Sequence, residues 1–174
     1  MRQEFWKELN EARHQGVCKY WENVFPEANV IDFNLLVELN QYIVSVTGQN
    51  VLRNDSANIS GAHADARIKP FFTEFINNYK RIDTEIDFNS LLFFSFSDSH
   101  HSVNLHRDTE TVFLIQGYGE CVFVAVNDDG SQKDLYRMKT GDAIILPPMY
   151  SHKSVPLGPR VTLSLGGLPK QHSH

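Results

Sequence analysis

Apolar residues recur at helical spacing in the first 88 residues and alternate with polar ones after that, so the chain reads as a helical part followed by a stranded part. In QEFWKELNEARHQ, residues 3–15, Phe5, Trp6 and Leu9 lie at helical spacing and Gly16 supplies a stop. A second helix is predicted where Asp32 stands as N-cap before FNLLVELNQYIVSV, with Gly48 beyond its end. Pro70 in the first turn of FFTEFINNYKRI predicts a third, over about 70–81. Residues 54–67, NDSANISGAHADAR, show neither period and read as a loop. Trp6, Phe71 and Phe75 read as core contacts beneath these helices.

From residue 88 onward short strands and turn signals succeed one another. Strands are expected at 89–96, 101–106, 111–116, 120–126, 134–139, 142–147, 151–155 and 160–165. Between them lie Gly117-Tyr118-Gly119, Asn127-Asp128-Asp129-Gly130, Thr140-Gly141, Pro147-Pro148 and Gly158-Pro159. Eight strands at that spacing predict a jelly-roll barrel, a double-stranded β-helix. The fold class expected is mainly β with N-terminal helices, an α+β chain. At 174 residues it is long enough for one domain with a sizeable core. Residues 1–88 would cover the barrel, 89–166 would form it, and 167–174 would be a tail.

Charge removes some partners from that picture. The formal net charge is −5 and there is no basic block, which argues against nucleic acid and anionic membrane. The longest apolar runs, such as LLFF at 91–94, are too short to span a bilayer, and Met1-Arg2-Gln3-Glu4 opens no signal peptide. A cytoplasmic protein is expected. A homodimer through an open sheet edge or the first helix is compatible with the pattern. Cys18 and Cys121 make neither a disulfide framework nor a zinc spacing and read as small buried residues.

The chemistry concentrates in LHRDTETVFLIQG, residues 105–117, and in His152. His106 and Asp108 are two apart, so on a strand they project from one face roughly 6.6 Å apart and both can reach one ion. With His152 they make two imidazoles and a carboxylate, a set that leaves open positions on the metal and is the usual arrangement of non-haem Fe(II) oxygenases. A second His-x-Asp, His63 with Asp65, precedes a helical pattern, whereas Asp108 precedes the β-branched run TVFLIQ and a hairpin turn. The first pair is therefore preferred. Taken singly, His106 and His152 are also explained as satisfied core histidines and Asp108 as a turn residue. Glu110 is an alternative or fourth carboxylate. Of His100 and His101, adjacent on a strand, at most one can look inward. His172 and His174 belong to the tail, and Tyr118 reads as a surface turn residue.

These residues resemble the cupin superfamily. The first cupin motif ends in Glu, six residues and Gly, here Glu110 to Gly117; the second is matched by Gly141, Pro147 and His152, with Met149 where cupins usually carry Gly. The pattern is still more similar to the JmjC-like branch of the 2-oxoglutarate oxygenases. Its His-x-Asp followed by an apolar strand and Gly resembles His106 to Gly117, and its Gly-Asp, apolar strand, Pro-Pro and His resembles Gly141 to His152. The resemblance covers about residues 89–166. It implies Fe(II) held by His106, Asp108 and His152, 2-oxoglutarate as co-substrate, and hydroxylation as the reaction.

Two departures qualify it. Simple cupins carry a second His where Asp108 stands, which favours the oxygenase branch. JmjC-like hydroxylases place a basic residue on the strand after the first motif, but Glu120 to Val126 has none. Other 2-oxoglutarate oxygenases place Arg on the last strand followed by x-Ser or x-Thr, which Arg160-Val161-Thr162 resembles at a spacing of eight from His152. Strand parity supports Arg160 independently: Val161, Leu163 and Leu165 take one face while Arg160, Thr162 and Ser164 take the other. A guanidinium there can grip a carboxylate through two charge-assisted bonds, with Thr162 adding a third. The alternative for Arg160 is a surface arginine. The alternative for the whole chain is a cupin-type isomerase or a non-catalytic small-ligand binding module.

Overall fold

The protein's structure is a computed structural model that describes residues 2–53, 58–80, 86–99 and 103–169. In chain order the elements are α1 (Arg2–Gln15), β1 (Lys19–Trp21), α2 (Phe33–Thr47), β2 (Asn58–Ser60), α3 (Lys69–Asn78), β3 (Ile86–Ser95), β4 (His106–Arg107) and β5 (Val112–Gln116). They continue with β6 (Cys121–Val126), β7 (Lys133–Met138), β8 (Ala143–Leu146), β9 (Ser151–Pro156) and β10 (Arg160–Pro169). The capping chemistry read from the sequence sets α2. Asp32 accepts a hydrogen bond from the Leu35 N–H at 2.9 Å, and Gly48 closes the helix in the left-handed region at φ 74°. Helix α3 stops at Asn78, earlier than expected, because Tyr79 turns extended and its ring packs edge-on to Phe88.

The strands form two antiparallel sheets, one of six strands in the order β1-β8-β5-β10-β3-β2 and one of four in the order β4-β9-β6-β7. The helical part contributes two strands that the periodicity did not reveal. Strand β1 pairs with β8, and β2, inside the stretch read as a loop, pairs with β3. Each is three residues long, too short to show a period. Strand β4 is likewise only His106–Arg107, with residues 103–105 outside any strand. The last strand runs further than expected, to a pairing of Pro169 with Ile86. His100, His101, His172 and His174 lie outside the described residues.

The larger sheet is buried on both faces. On one, Val161, Leu163, Leu165, Phe113, Ile115, Leu92 and Phe94 meet Phe5, Trp6, Leu9, Phe71 and Phe75 from the helices, and all are at most 4% exposed. Phe75 and Phe113 stack at 5.6 Å, and Phe5 meets Trp6 edge-on at 4.8 Å. On the other face, Leu114, Ile144 and Leu146 join Cys121, Phe123, Ala125 and Met138 of the smaller sheet in a second apolar cluster. The tight β5–β6 turn locks the helical part to the barrel. A side chain at Gly117 would bring its Cβ within 2.3 Å of the Ile31 carbonyl oxygen, and Gly119, at φ 75°, would meet the Pro159 carbonyl oxygen at 2.1 Å. Between them Tyr118 donates its N–H to Ile31 O at 2.8 Å and accepts from Val161 N–H at 2.9 Å. Its side chain is exposed. Among the described residues no helix is long and apolar enough to cross a membrane.

Candidate metal centre

The sheet register brings the two histidines together: His106 of β4 is the direct antiparallel partner of His152 of β9. Their rings lie 4.2 Å apart. Asp108, just past β4, is fixed by its backbone, whose carbonyl accepts the Met149 N–H at 2.8 Å. Its carboxylate then reaches both rings, with His152 Nε2 at 3.3 Å from Oδ2 and His106 Nε2 at 3.8 Å from Oδ1. One ligand atom from each of the three lies within 4.8 Å of the others. Met149 stands at φ 67°, a left-handed conformation that favours glycine, which accounts for the Gly usual at that place in the cupin pattern.

The hydrogen bonds decide which nitrogens face Asp108. His106 Nδ1 lies 2.8 Å from the Asn104 carbonyl and His152 Nδ1 lies 3.0 Å from the Tyr150 carbonyl. A carbonyl only accepts, so both Nδ1 atoms carry the proton, and each neutral ring turns a bare Nε2 lone pair toward the carboxylate. Lone pairs facing a carboxylate repel unless a proton or a cation lies between them. With a proton there, the hydrogen bond from His152 holds the Asp108 carboxyl below the usual carboxylate range, against the opposing effect of burial. Two neutral imidazoles oriented by backbone carbonyls, with one carboxylate, suit a divalent transition-metal ion. Phe123 stacks on His152 at 5.7 Å and walls the site on one side.

The same cavity, of about 140 Å³, holds Arg160. Arg160 is 2% exposed, so the surface alternative does not apply. Its Nη1 donates to Thr162 Oγ1 and its Nη2 to Ser154 Oγ, both at 2.8 Å, while its buried Nε–H has no acceptor among the described residues. Burial pushes its pKa down, and among the described residues no acidic side chain pairs with it. A buried guanidinium with an orphaned N–H fits a carboxylate-bearing ligand. Thr162 gives its single hydroxyl proton to Gln116 Oε1 at 2.8 Å, and the Gln116 amide is in turn anchored on the Tyr118 and Gly119 carbonyls at 3.0 and 3.2 Å. Ser154, which lines this end of the cavity, and Gln116, which supports it through Thr162, are residues that the sequence reading did not single out. Both signals were present: Ser154 shares the strand face of His152, and Gln116 is the one polar residue of VFLIQ.

Other candidates fall elsewhere. Glu110 lines the cavity but stands outside the converging set, its Oε2 accepting from Thr109 Oγ1 at 2.8 Å. His63 stacks on Phe72 at 4.4 Å and bonds Ser90 Oγ at 2.8 Å, and Asp65 pairs with Arg67, so that His-x-Asp is structural. Cys18 and Cys121 are free and buried, and burial pushes both thiols up.

A jelly roll with two histidines and an aspartate converging in its cavity defines the class of architecture. No family model matches the sequence, and no curated protein matches it. Solved structures do. YcfD of E. coli matches with a TM-score of 0.54 at 19% identity, over 66% of this chain and 34% of that one. The Escherichia coli ribosomal oxygenase YcfD in complex with cobalt and succinic acid matches with a TM-score of 0.51 at 21% identity, over 63% and 30%. The same oxygenase with cobalt and 2-oxoglutarate gives 0.50 at 20%, over 63% and 30%. This chain spans about a third of the length of those proteins. At these identities the likeness establishes the fold alone, and the jelly roll expected from the strand pattern is present.

Proposed function

We propose that this protein is an Fe(II)- and 2-oxoglutarate-dependent dioxygenase, a hydroxylase acting in the cytoplasm on a small-molecule or peptide substrate. The observation that carries the reading is a pairing within one cavity: three converging metal-type donors and a buried guanidinium without an acidic partner among the described residues. His106, Asp108 and His152 would hold the iron, and Arg160, supported by Thr162, would hold 2-oxoglutarate by its far carboxylate. Together these groups would supply oxidation of a substrate C–H bond coupled to decarboxylation of 2-oxoglutarate to succinate.

The chain's own part is positioning and exclusion of water. The Asn104 and Tyr150 carbonyls fix the tautomer and tilt of the two imidazoles. Ser154 and Thr162 hold the Arg160 fork against the barrel wall. Leu91, Phe93, Val112 and Leu114 line the cavity and lower its polarity, which strengthens the hold of Arg160 on an anion.

The test is an anaerobic calorimetric titration of 2-oxoglutarate into Fe(II)-loaded protein, with an unloaded control and succinate release measured on admitting oxygen. Metal-dependent binding that Arg160→Ala removes supports the oxygenase. Metal retained without any binding of 2-oxoglutarate overturns it and returns the protein to a cupin isomerase or binding module.

A further inference from the structure

Besides the metal donor Asp108, the cavity is lined by one further acidic side chain, Glu110, and it has one basic side chain, Arg160. They do not pair with each other, and Glu110 has no ion pair among the described residues. The half-buried Glu110 carboxylate accepts a hydrogen bond from the Thr109 hydroxyl at Oε2, which leaves most of its acceptor capacity open. A carboxylate partly withdrawn from water is costly unless a donor or a cation meets it.

Sheet register orders the groups around it. Ser164 of β10 stands opposite Leu91 and Leu114, and Gly166, one step further out, stands opposite Asn89 and Val112. Glu110 comes two residues before Val112 and borders that outer level, which lies roughly 20 Å along β10 from Arg160. Ser164 is 5% exposed, lines the cavity, and its hydroxyl makes no hydrogen bond among the described residues. Asn89 is already engaged, by the Ser60 hydroxyl and the Ser90 N–H. Gly166 has no left-handed backbone to maintain, and a Cβ there would meet only the Thr111 carbonyl oxygen, at an ordinary 3.7 Å. Neither conformation nor packing requires glycine at that place; the missing side chain leaves room in the cavity.

We propose that the outer end of the cavity is a substrate subsite for an aliphatic chain ending in a cationic nitrogen, with Glu110 as the residue that selects the charge, Ser164 as a hydroxyl contact beside it and Gly166 as the opening that admits the chain. The walls at this level, Leu91, Val112 and Leu114, are apolar and suit a hydrocarbon stem. An ammonium group brings donors only, which a carboxylate and a hydroxyl oxygen accept. Glu110 is two residues from Asp108, so a stem seated there carries its C–H bonds past the metal donors. The inference rests on the oxygenase reading for the meaning of the stem as substrate, and it assigns Glu110 to substrate selection rather than to the metal.

Three probes of one length test this: n-pentylamine, 1-pentanol and pentanoate, titrated without oxygen into Mn(II)-loaded protein with 2-oxoglutarate present, with line broadening of the probe's CH2 protons by Mn(II) as the readout. Pentylamine should bind and broaden, and pentanoate should not. Loss of a charged partner predicts that Glu110→Gln weakens pentylamine roughly 10- to 100-fold while Mn(II) and 2-oxoglutarate affinities stay at wild-type values. Gly166→Val, whose Cβ has room, should exclude pentylamine and pentanol alike and leave 2-oxoglutarate binding unchanged. Nα-acetyllysine methylamide separates the sources of the cation: tighter binding than pentylamine marks a peptide side chain, weaker binding a free amine. Equal binding of pentylamine and pentanoate, or wild-type pentylamine affinity in Glu110→Gln, overturns the subsite while leaving the cofactor reading in place. Absence of 2-oxoglutarate binding overturns the cofactor reading alone, since the dependence of pentylamine binding on Glu110 is measured separately.

Discussion

The two faces of β10 are buried to nearly the same degree and do opposite things. Val161, Leu163 and Leu165 are at 0% exposure against the helices, and Arg160, Thr162 and Ser164 are at 2 to 5% facing the cavity. Burial alone does not separate them. On the helix side the three β10 side chains are wholly apolar and the favourable term is removal of surface from water. On the cavity side, side-chain groups hydrogen-bond each other, as Arg160 does through Thr162 and Ser154, and Arg160 Nε is left over among the described residues. A strand that holds a charge inside a barrel without an acidic partner costs stability, and that cost is the sign of a site rather than of a core.

Substitutions can break this contrast from either side. The largest effect is expected at the metal donors. Asp108→Ala should cost more in metal affinity than the roughly 10- to 100-fold typical of losing a supporting partner, while thermal unfolding of the metal-free protein changes little. Metal retained at wild-type affinity in that variant, measured by equilibrium dialysis, removes Asp108 from the site. The converse break lies on the other face. Leu163→Ala should lower stability by about 2–5 kcal/mol in urea unfolding, because Leu163 is fully enclosed and the cavity left behind cannot collapse. Metal affinity of the folded protein should survive it.

Arg160→Leu makes the inner face resemble the outer one. It should abolish 2-oxoglutarate binding and at the same time raise the stability of the ligand-free protein by about 1 kcal/mol, since an uncompensated buried charge is removed. A fall in stability instead would mean that the bonds to Thr162 and Ser154 outweigh the desolvation of the guanidinium. Met149→Gly should stabilise by under about 1 kcal/mol through relief of the left-handed backbone at φ 67°, the gain being reduced by glycine's greater freedom when unfolded.

The smallest effect concerns acid. The folded Asp108 carboxyl lies below the unfolded carboxylate value of about 3.9. Its contribution to stability is therefore complete above that value and is lost as pH falls through the lower folded one. The metal-free Asp108→Asn protein should lose less stability than wild type between about pH 4 and pH 2, read as the shift of its urea midpoint, and an unchanged acid limb would contradict the pairing with His152.

Much of this was legible in the chain. The cap at Asp32, the left-handed Gly48 and the alternation in RVTLSL are local, because capping and strand parity depend on near neighbours along the backbone. So is the ranking of the two His-x-Asp pairs, since the β-branched run after Asp108 and the helical run after Asp65 are local patterns. Strands β1 and β2 were hidden because three residues carry no period, and their extended form comes from pairing with β8 and β3.

The sequence by itself determined which residue types could ligate and which way each strand would face, because side-chain alternation is a property of one strand. Only the tertiary structure decided that His106 meets His152 across β4 and β9, that both rings show Nε2 to Asp108, and that the hydroxyl proton of Thr162 is taken by Gln116. Those outcomes depend on sheet register and on hydrogen-bond partners far apart in the chain, and no local spacing encodes them.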